Sequence, residues 1–162
     1  MTDRRPIDAK DRQIIRALQL DGRLSNLELA ERVNLSPSPC LRRVRLLEEA
    51  GVIRGYAADV DPRAMGLRVT AFIRITLDRH DRDAVGRFEA RVRAIDEILD
   101  CHLMTGEADY LLRVVVPDLD AYEGFVRDSL HAIPGIRSIT TSLVYGTVKS
   151  ARVYPTPEGT PP

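Results

Sequence analysis

The sequence predicts an α+β protein, with an N-terminal helix-turn-helix domain of winged-helix-like type and a C-terminal ferredoxin-like βαββαβ domain. Three observations predict it. Apolar residues recur at helical spacing in three short blocks before residue 50. From Val69 the period changes to strict alternation. Beyond that point strand-like and helix-like blocks follow in the order β-α-β-β-α-β, the split βαβ arrangement.

The first helix is expected over about Asp8 to Leu20, with Ile14, Ile15 and Leu18 on one face and Asp21-Gly22 ending it. The second starts at Ser25, because Ser25-Asn26-Leu27-Glu28 fits a capping box that satisfies two orphan N–H donors; Leu27, Ala30 and Val33 would form its buried face. Ser36 can cap the third, Pro37 suits its first position, and Gly51 suits its stop. Leu41, Val44 and Leu47 are its expected buried stripe, while Ser38, Arg42, Arg45 and Glu49 face outward and Arg43 lies at the margin. A turn of about three residues, Val33-Asn34-Leu35-Ser36, forces the second and third helices to cross steeply. The third is then the candidate recognition helix. Val52 to Val60 reads as an extended connector strand, and Asp61-Pro62 places a domain boundary near residue 62.

In the second domain, residues 63–151, Val69, Ala71, Ile73, Ile75 and Leu77 alternate with polar neighbours as a half-buried strand. Val85, Phe88, Val92 and Ile95 follow at helical spacing. Strands are expected over Ile98–Met104 and Asp109–Val116, a helix from about Asp118 to Ala132, and a last strand over Ile136–Val148, entered through Pro134-Gly135. Residues 152–162 form a Pro-rich tail expected to be disordered. Both helices should cover one sheet face, leaving Phe72, Arg74, Thr76, Asp100, His102, Met104, Arg113, Val115, Thr140, Ser142 and Val144 on the other. That mixed surface reads either as solvated or as half of a subunit interface, the interface being favoured since helix-turn-helix readers usually work as dimers on paired half-sites.

Composition excludes several classes of function. With 162 residues, 44% of them hydrophobic and 30% charged, the chain carries enough apolar material for two small cores and is not disordered throughout. No apolar run reaches the roughly 18 residues of a membrane span, and charges interrupt the N-terminal stretch where a signal peptide would be apolar; a cytoplasmic location is expected. Cys40 and Cys101 make no disulfide framework, and adjacent Cys101 and His102 point to opposite faces of a strand. No metal site or cofactor is expected. The formal net charge of zero hides a split: residues 1–58 hold 11 basic and 8 acidic side chains, the remainder 13 and 16. A basic front part suits a polyanion partner.

The strings Ser25-Asn26-Leu27-Glu28-Leu29-Ala30, Leu35-Ser36-Pro37-Ser38-Pro39-Cys40-Leu41-Arg42-Arg43-Val44, Gly51-Val52-Ile53-Arg54-Gly55-Tyr56, Gly106-Glu107-Ala108-Asp109-Tyr110 and Ile133-Pro134-Gly135-Ile136 resemble the Lrp/AsnC (feast/famine) transcriptional regulators, most closely the leucine-responsive ones. The likeness runs over about residues 7 to 150. It implies a DNA-binding domain and an amino-acid-sensing domain. It also implies dimers through the sheet that assemble further, often to octamers, with effectors bound between neighbouring dimers. Carried over, it places Gly106, Glu107, Asp109 and Tyr110 at the effector pocket, Leu103 before it, and Thr140, Ser142 and Val144 as its second wall. One departure is Arg42, a position often acidic in the closest relatives.

For double-stranded DNA the expected contacts are Arg42, Arg43 and Arg45, whose planar forks can hold guanine edges or clamp phosphates. Ser36 and Ser38, with Ser25 and Asn26, are expected nearer the backbone. The bland alternatives are a solvated helix face for the arginines and a plain hairpin turn for Gly106 and Asp109. Turn N–H groups can also hold an α-carboxylate while an acidic group accepts from an α-amine. A small-molecule enzyme on the same sheet is the rival function, but no convergent acid, base or metal set supports it. RNA binding by the sheet would want aromatic platforms, and Phe72 alone is on offer. The expected protein is therefore a sequence-specific regulator whose binding or assembly responds to an amino acid, leucine being the first guess.

Overall fold

The computed structural model describes residues 6–151 and 153–155. Its elements run α1 (Ala9–Leu20), α2 (Asn26–Arg32), α3 (Pro37–Glu49), β1 (Val69–Leu77), α4 (Arg82–Arg93), β2 (Ile98–Leu103), β3 (Tyr110–Val116), α5 (Leu119–Gly124), continued by a π-helical segment Phe125–Leu130, and β4 (Ile136–Leu143). The chain divides into two compact units: one runs to Asp59 and takes in the chain from Lys149, the other is Val60–Val148. The expected boundary near residue 62 lies within three residues of that division, but the segment from Lys149 groups with the first unit, not with the sheet.

In the helical unit every helix start is marked by chemistry. Asp8 caps α1, and Asp11 returns the bond to the Asp8 N–H, a capping box. Ser25 and Glu28 do the same for α2. Ser36 sits at the N-cap position of α3 ahead of Pro37, but its hydroxyl makes no capping bond. The turn between α2 and α3 is closed by Asn34, whose φ of 52° is left-handed. Its N–H reaches the Glu31 carbonyl at 3.2 Å, and the Leu35 N–H reaches Ala30 at 2.9 Å. Gly51, at φ 66°, ends α3 with the same pair of bonds, from Gly51 N–H to Glu48 and Val52 N–H to Leu47.

The core of this unit is Ile14, Ala17, Leu29, Ala30, Val33, Cys40 and Leu47. Two expected stripes are corrected by it. Leu27 is 58% exposed and Leu29 takes its place; Leu41 is 38% exposed and Cys40 is buried instead. At about 100° per residue, Leu29, Ala30 and Val33 share one side of α2, and Cys40, Val44 and Leu47 share one side of α3. Leu27 and Leu41 each fall about 60° outside those arcs. The expected connector strand over Val52–Val60 is not one: those residues pair with no strand.

The sheet unit is a four-stranded antiparallel sheet in the order β2-β3-β1-β4, the ferredoxin-like order that the element sequence predicts. Ala71, Ile73, Ile75 and Leu77 point to the helix side and are buried with Leu112, Val114 and Val116 from β3 beneath Phe88, Val92, Phe125 and Leu130. Phe88 stacks on Tyr110 with ring centroids 4.6 Å apart. The expected single helix to Ala132 changes from α to π after Gly124, with the His131 N–H bonding the Val126 carbonyl. The last strand ends at Leu143 instead of reaching Val148.

On the open face, register brings Asp100, Arg113, Phe72 and Ser142 into one row, and His102, Leu111, Arg74 and Thr140 into the next. Thr76 and Val115, expected to be open, are buried. Of the proposed tail, residues 152 and 156–162 lie outside the described residues. The Tyr154 N–H donates to Gln19 Oε1 at 2.7 Å on α1, so at that point the chain is tied to the helical unit.

Candidate functional site

Two groups of side chains carry the chemistry, one in each unit. In the helical unit, the face of α3 opposite Cys40, Val44 and Leu47 presents Ser38, Arg42 and Arg45, all exposed, with Ser36 exposed at the N-cap. Arg42 and Arg45 make no ion pair among the described residues. An N-cap hydroxyl without a capping bond and two unengaged guanidinium groups on one helix face form a donor array suited to phosphates and base edges.

The other expected contacts are placed differently. Arg43 is only half-exposed and its Nη1 lies 2.6 Å from Asp8 Oδ2 and 2.7 Å from Asp11 Oδ1. Hydrogen bonds to Asp8 and Asp11 hold the guanidinium more firmly protonated than usual. Burial works to raise the Asp8 pKa, but the Asp11 N–H and Arg43 together hold it below its ordinary value. Asn26 donates from Nδ2 to the Pro37 carbonyl at 2.9 Å, joining the start of α2 to the first residue of α3. The Ser25 hydroxyl donates to Glu28 within its capping box at 2.7 Å. Sequence reasoning passed over Asp8 and Asp11 as partners of α3. The signal was present as an Asp-x-x-Asp helix start, but its second use, toward Arg43, has no local signature.

In the sheet unit the β2–β3 hairpin is closed by the Met104 N–H to the Asp109 carbonyl at 2.8 Å, and Gly106 turns it at φ 115°. A side chain would be strained at that φ. Asp109 is committed to its own chain through both carboxylate oxygens: Oδ2 accepts the Leu77 N–H at 2.7 Å and Oδ1 lies 2.8 Å from His80 Nε2. The Leu77 N–H holds its pKa below the usual value; burial opposes this and His80 adds to it. Glu107 is exposed at the tip. His80 is a partner that the sequence did not point to.

Tyr110 is buried and its hydroxyl donates to Glu89 Oε1 at 3.3 Å. Leu103, 75% exposed, lines with Tyr110, Glu89, Arg93 and Cys101 a cleft of about 440 Å³ between α4 and β2. Thr140 and Ser142 lie on the open face of β4, and Val144 just past its end bonds Thr70. Within one chain, therefore, Leu103, Gly106, Glu107, Asp109 and Tyr110 cluster at one hairpin. Thr140, Ser142 and Val144 belong to the opposite edge strand, with β1 between. Cys40 is buried, which pushes its thiol pKa up. Among the described residues no cluster of His, Cys, Asp and Glu could hold a metal ion, and no helix is long and apolar enough to cross a membrane.

Comparison with known proteins joins the two groups. Residues 7–54 match a winged helix-turn-helix DNA-binding family, and residues 70–154 match the Lrp/AsnC ligand binding domain. Leucine-responsive regulatory proteins of Salmonella typhimurium and Escherichia coli K12 are each 43% identical over 145 residues, 90% of this chain and 88% of theirs. A transcriptional regulator of Neisseria meningitidis, solved in complex with L-methionine, superposes with a TM-score of 0.88 at 43% identity, covering 93% of this chain and 97% of that one. A feast or famine regulatory protein of M. tuberculosis, also complexed with L-methionine, gives 0.81 at 34% identity, covering 92% and 99%. Matched over both units, the chain belongs to the Lrp/AsnC family of DNA-binding transcriptional regulators, not to an enzyme family.

Proposed function

We propose that this regulator binds double-stranded operator DNA through the outward face of α3 and that an amino acid, leucine or methionine first, modulates that binding. The observation that carries the DNA half is the row Ser36, Ser38, Arg42 and Arg45, exposed together on the helix that follows the tight Asn34 turn. The effector half rests on the hairpin from Leu103 to Tyr110, including Gly106, Glu107 and Asp109, and on the two similar proteins solved with L-methionine. With both Asp109 oxygens engaged by Leu77 and His80, Asp109 acts by holding the hairpin in shape; the Glu107 carboxylate and hairpin N–H groups are left to meet the ligand.

The chain works in the cytoplasm as a homodimer that assembles further, to an octamer. The open sheet face supports the dimer: its rows alternate charge with Phe72 and Leu111, and Phe72 is 38% exposed. Thr140, Ser142 and Val144 reach an effector only as part of a neighbouring copy, because in one chain β1 separates them from the hairpin. Coupling then follows from different effector affinities of alternative assemblies.

The test is an anisotropy titration of labelled DNA from just upstream of the protein's own gene, repeated with each amino acid and paired with sedimentation velocity. A shift in DNA affinity with leucine or methionine, accompanied by a change in assembly size, is expected. An affinity blind to every amino acid overturns the effector assignment.

A further inference from the structure

We infer that Arg43, although it lies between two DNA-facing arginines, is a positioning residue. Through Asp8 and Asp11 it fixes the recognition helix to the start of α1, and it makes no contact with DNA. The inference rests on the reading of α3 as the DNA-contacting helix.

Each of the two carboxylates serves both the helix cap and Arg43. Asp8 Oδ1 accepts the Asp11 N–H at 2.8 Å and Asp11 Oδ2 accepts the Asp8 N–H at 3.3 Å, which closes the capping box of α1. The remaining oxygens, Asp8 Oδ2 and Asp11 Oδ1, both take Arg43 Nη1. Asp11 is 1% exposed. A carboxylate removed from water to that degree needs a charged, hydrogen-bonded partner, and leaving it alone is costly. To reach a phosphate, Arg43 would have to give up its bonds to both Asp8 and Asp11.

Electrostatics agree. The Arg43 guanidinium is already engaged by two carboxylates, whereas Arg42 and Arg45 make no ion pair among the described residues. A rotation of about 100° per residue makes the difference. It sends Arg42 and Arg45 outward and turns Arg43 toward α1. Asn26, bonded to the Pro37 carbonyl, holds the first residue of α3 in the same way. The recognition helix is thus held at its first residue by Asn26 and midway along by Arg43.

The test uses the full chain and a duplex selected by it from genomic fragments, with specific and non-specific affinity measured from about 50 to 200 mM salt, the range over which phosphate contacts declare themselves. Arg42→Ala, as the contact control, should flatten the dependence of log K on log salt by about 0.9. Arg43→Met should lower specific affinity by at least about tenfold while leaving that slope and the non-specific affinity unchanged. Asp11→Asn should also weaken specific binding, although it makes the protein more positive, and the double variant should cost no more than the worse single.

A flatter slope in Arg43→Met, tighter binding by Asp11→Asn, or additive losses would each overturn the inference. If Arg43→Met does not fold, the sign of the Asp11→Asn effect decides alone, since that substitution keeps the side chain's shape. An Arg42→Ala variant unchanged in slope and affinity overturns α3 as the DNA-contacting helix, and is read separately from the Arg43 result.

Discussion

The turn between α2 and α3 depends on one residue, and replacing it gives a sharp prediction. Asn34 holds φ at 52°, a conformation that asparagine tolerates and a β-branched residue does not. In Asn34→Val the left-handed geometry costs about 1–2 kcal/mol, because the β-branched side chain lacks the polar group whose local hydrogen bonding lets asparagine tolerate it. Two bonds depend on that geometry, Asn34 N–H to Glu31 at 3.2 Å and Leu35 N–H to Ala30 at 2.9 Å. For a domain of 60–100 residues each kcal/mol moves the melting temperature by about 4–8 °C. Scanning calorimetry of the intact chain should therefore show the helical transition lowered by about 5–15 °C in Asn34→Val. Asn34→Gly, which accepts the same φ freely, should stay close to the parent. Operator affinity should follow the same order, because the turn sets the crossing of α3 over α2. Equal melting of Asn34→Val and Asn34→Gly would refute the left-handed turn and the rigid helix pair derived from it.

Further outcomes follow from the sheet unit. Phe88→Ala removes a fully buried ring stacked on Tyr110 and should destabilise that unit by about 3–5 kcal/mol in urea unfolding. Asp109→Asn should lower the melting temperature at neutral pH. The folded pKa of Asp109 is depressed by the Leu77 N–H first, so its contribution is full above about pH 4, the unfolded value. It is lost as pH falls through the lower folded pKa. Melting curves of parent and variant should therefore converge in acid; a constant gap from pH 7 to pH 3 would contradict a stabilising role for the Asp109 bonds to Leu77 and His80.

Much of the fold was legible because its signals are local. The Ser25-x-x-Glu28 box, the Pro37 start, the Gly51 stop and the alternation of β1 each occupy a few adjacent residues, and the β-α-β-β-α-β order leaves one familiar sheet. What was not legible depends on contacts distant in sequence. Periodicity marks an apolar arc only to within about a residue, so Leu41 was expected inside where Cys40 is; the position of α1, which only the fold supplies, decides between them. Arg43 read like its neighbours because its partners lie 32 and 35 residues earlier. Asp109 looked like a free ligand for the same reason, since Leu77 and His80 approach it from the end of β1. The α-to-π change after Gly124 left no pattern that helical spacing registers.

The central claim, that the outward face of α3 holds the DNA, is tested most directly by a mobility shift at two salt concentrations. It compares the parent with Arg42→Ala/Arg45→Ala on DNA from upstream of its own gene, with excess non-specific competitor. The account predicts specific retardation by the parent that weakens with salt. It predicts loss of that retardation in the variant, with melting temperature and oligomeric state unchanged. Parent-like retardation by the double variant, at both salts, would contradict it.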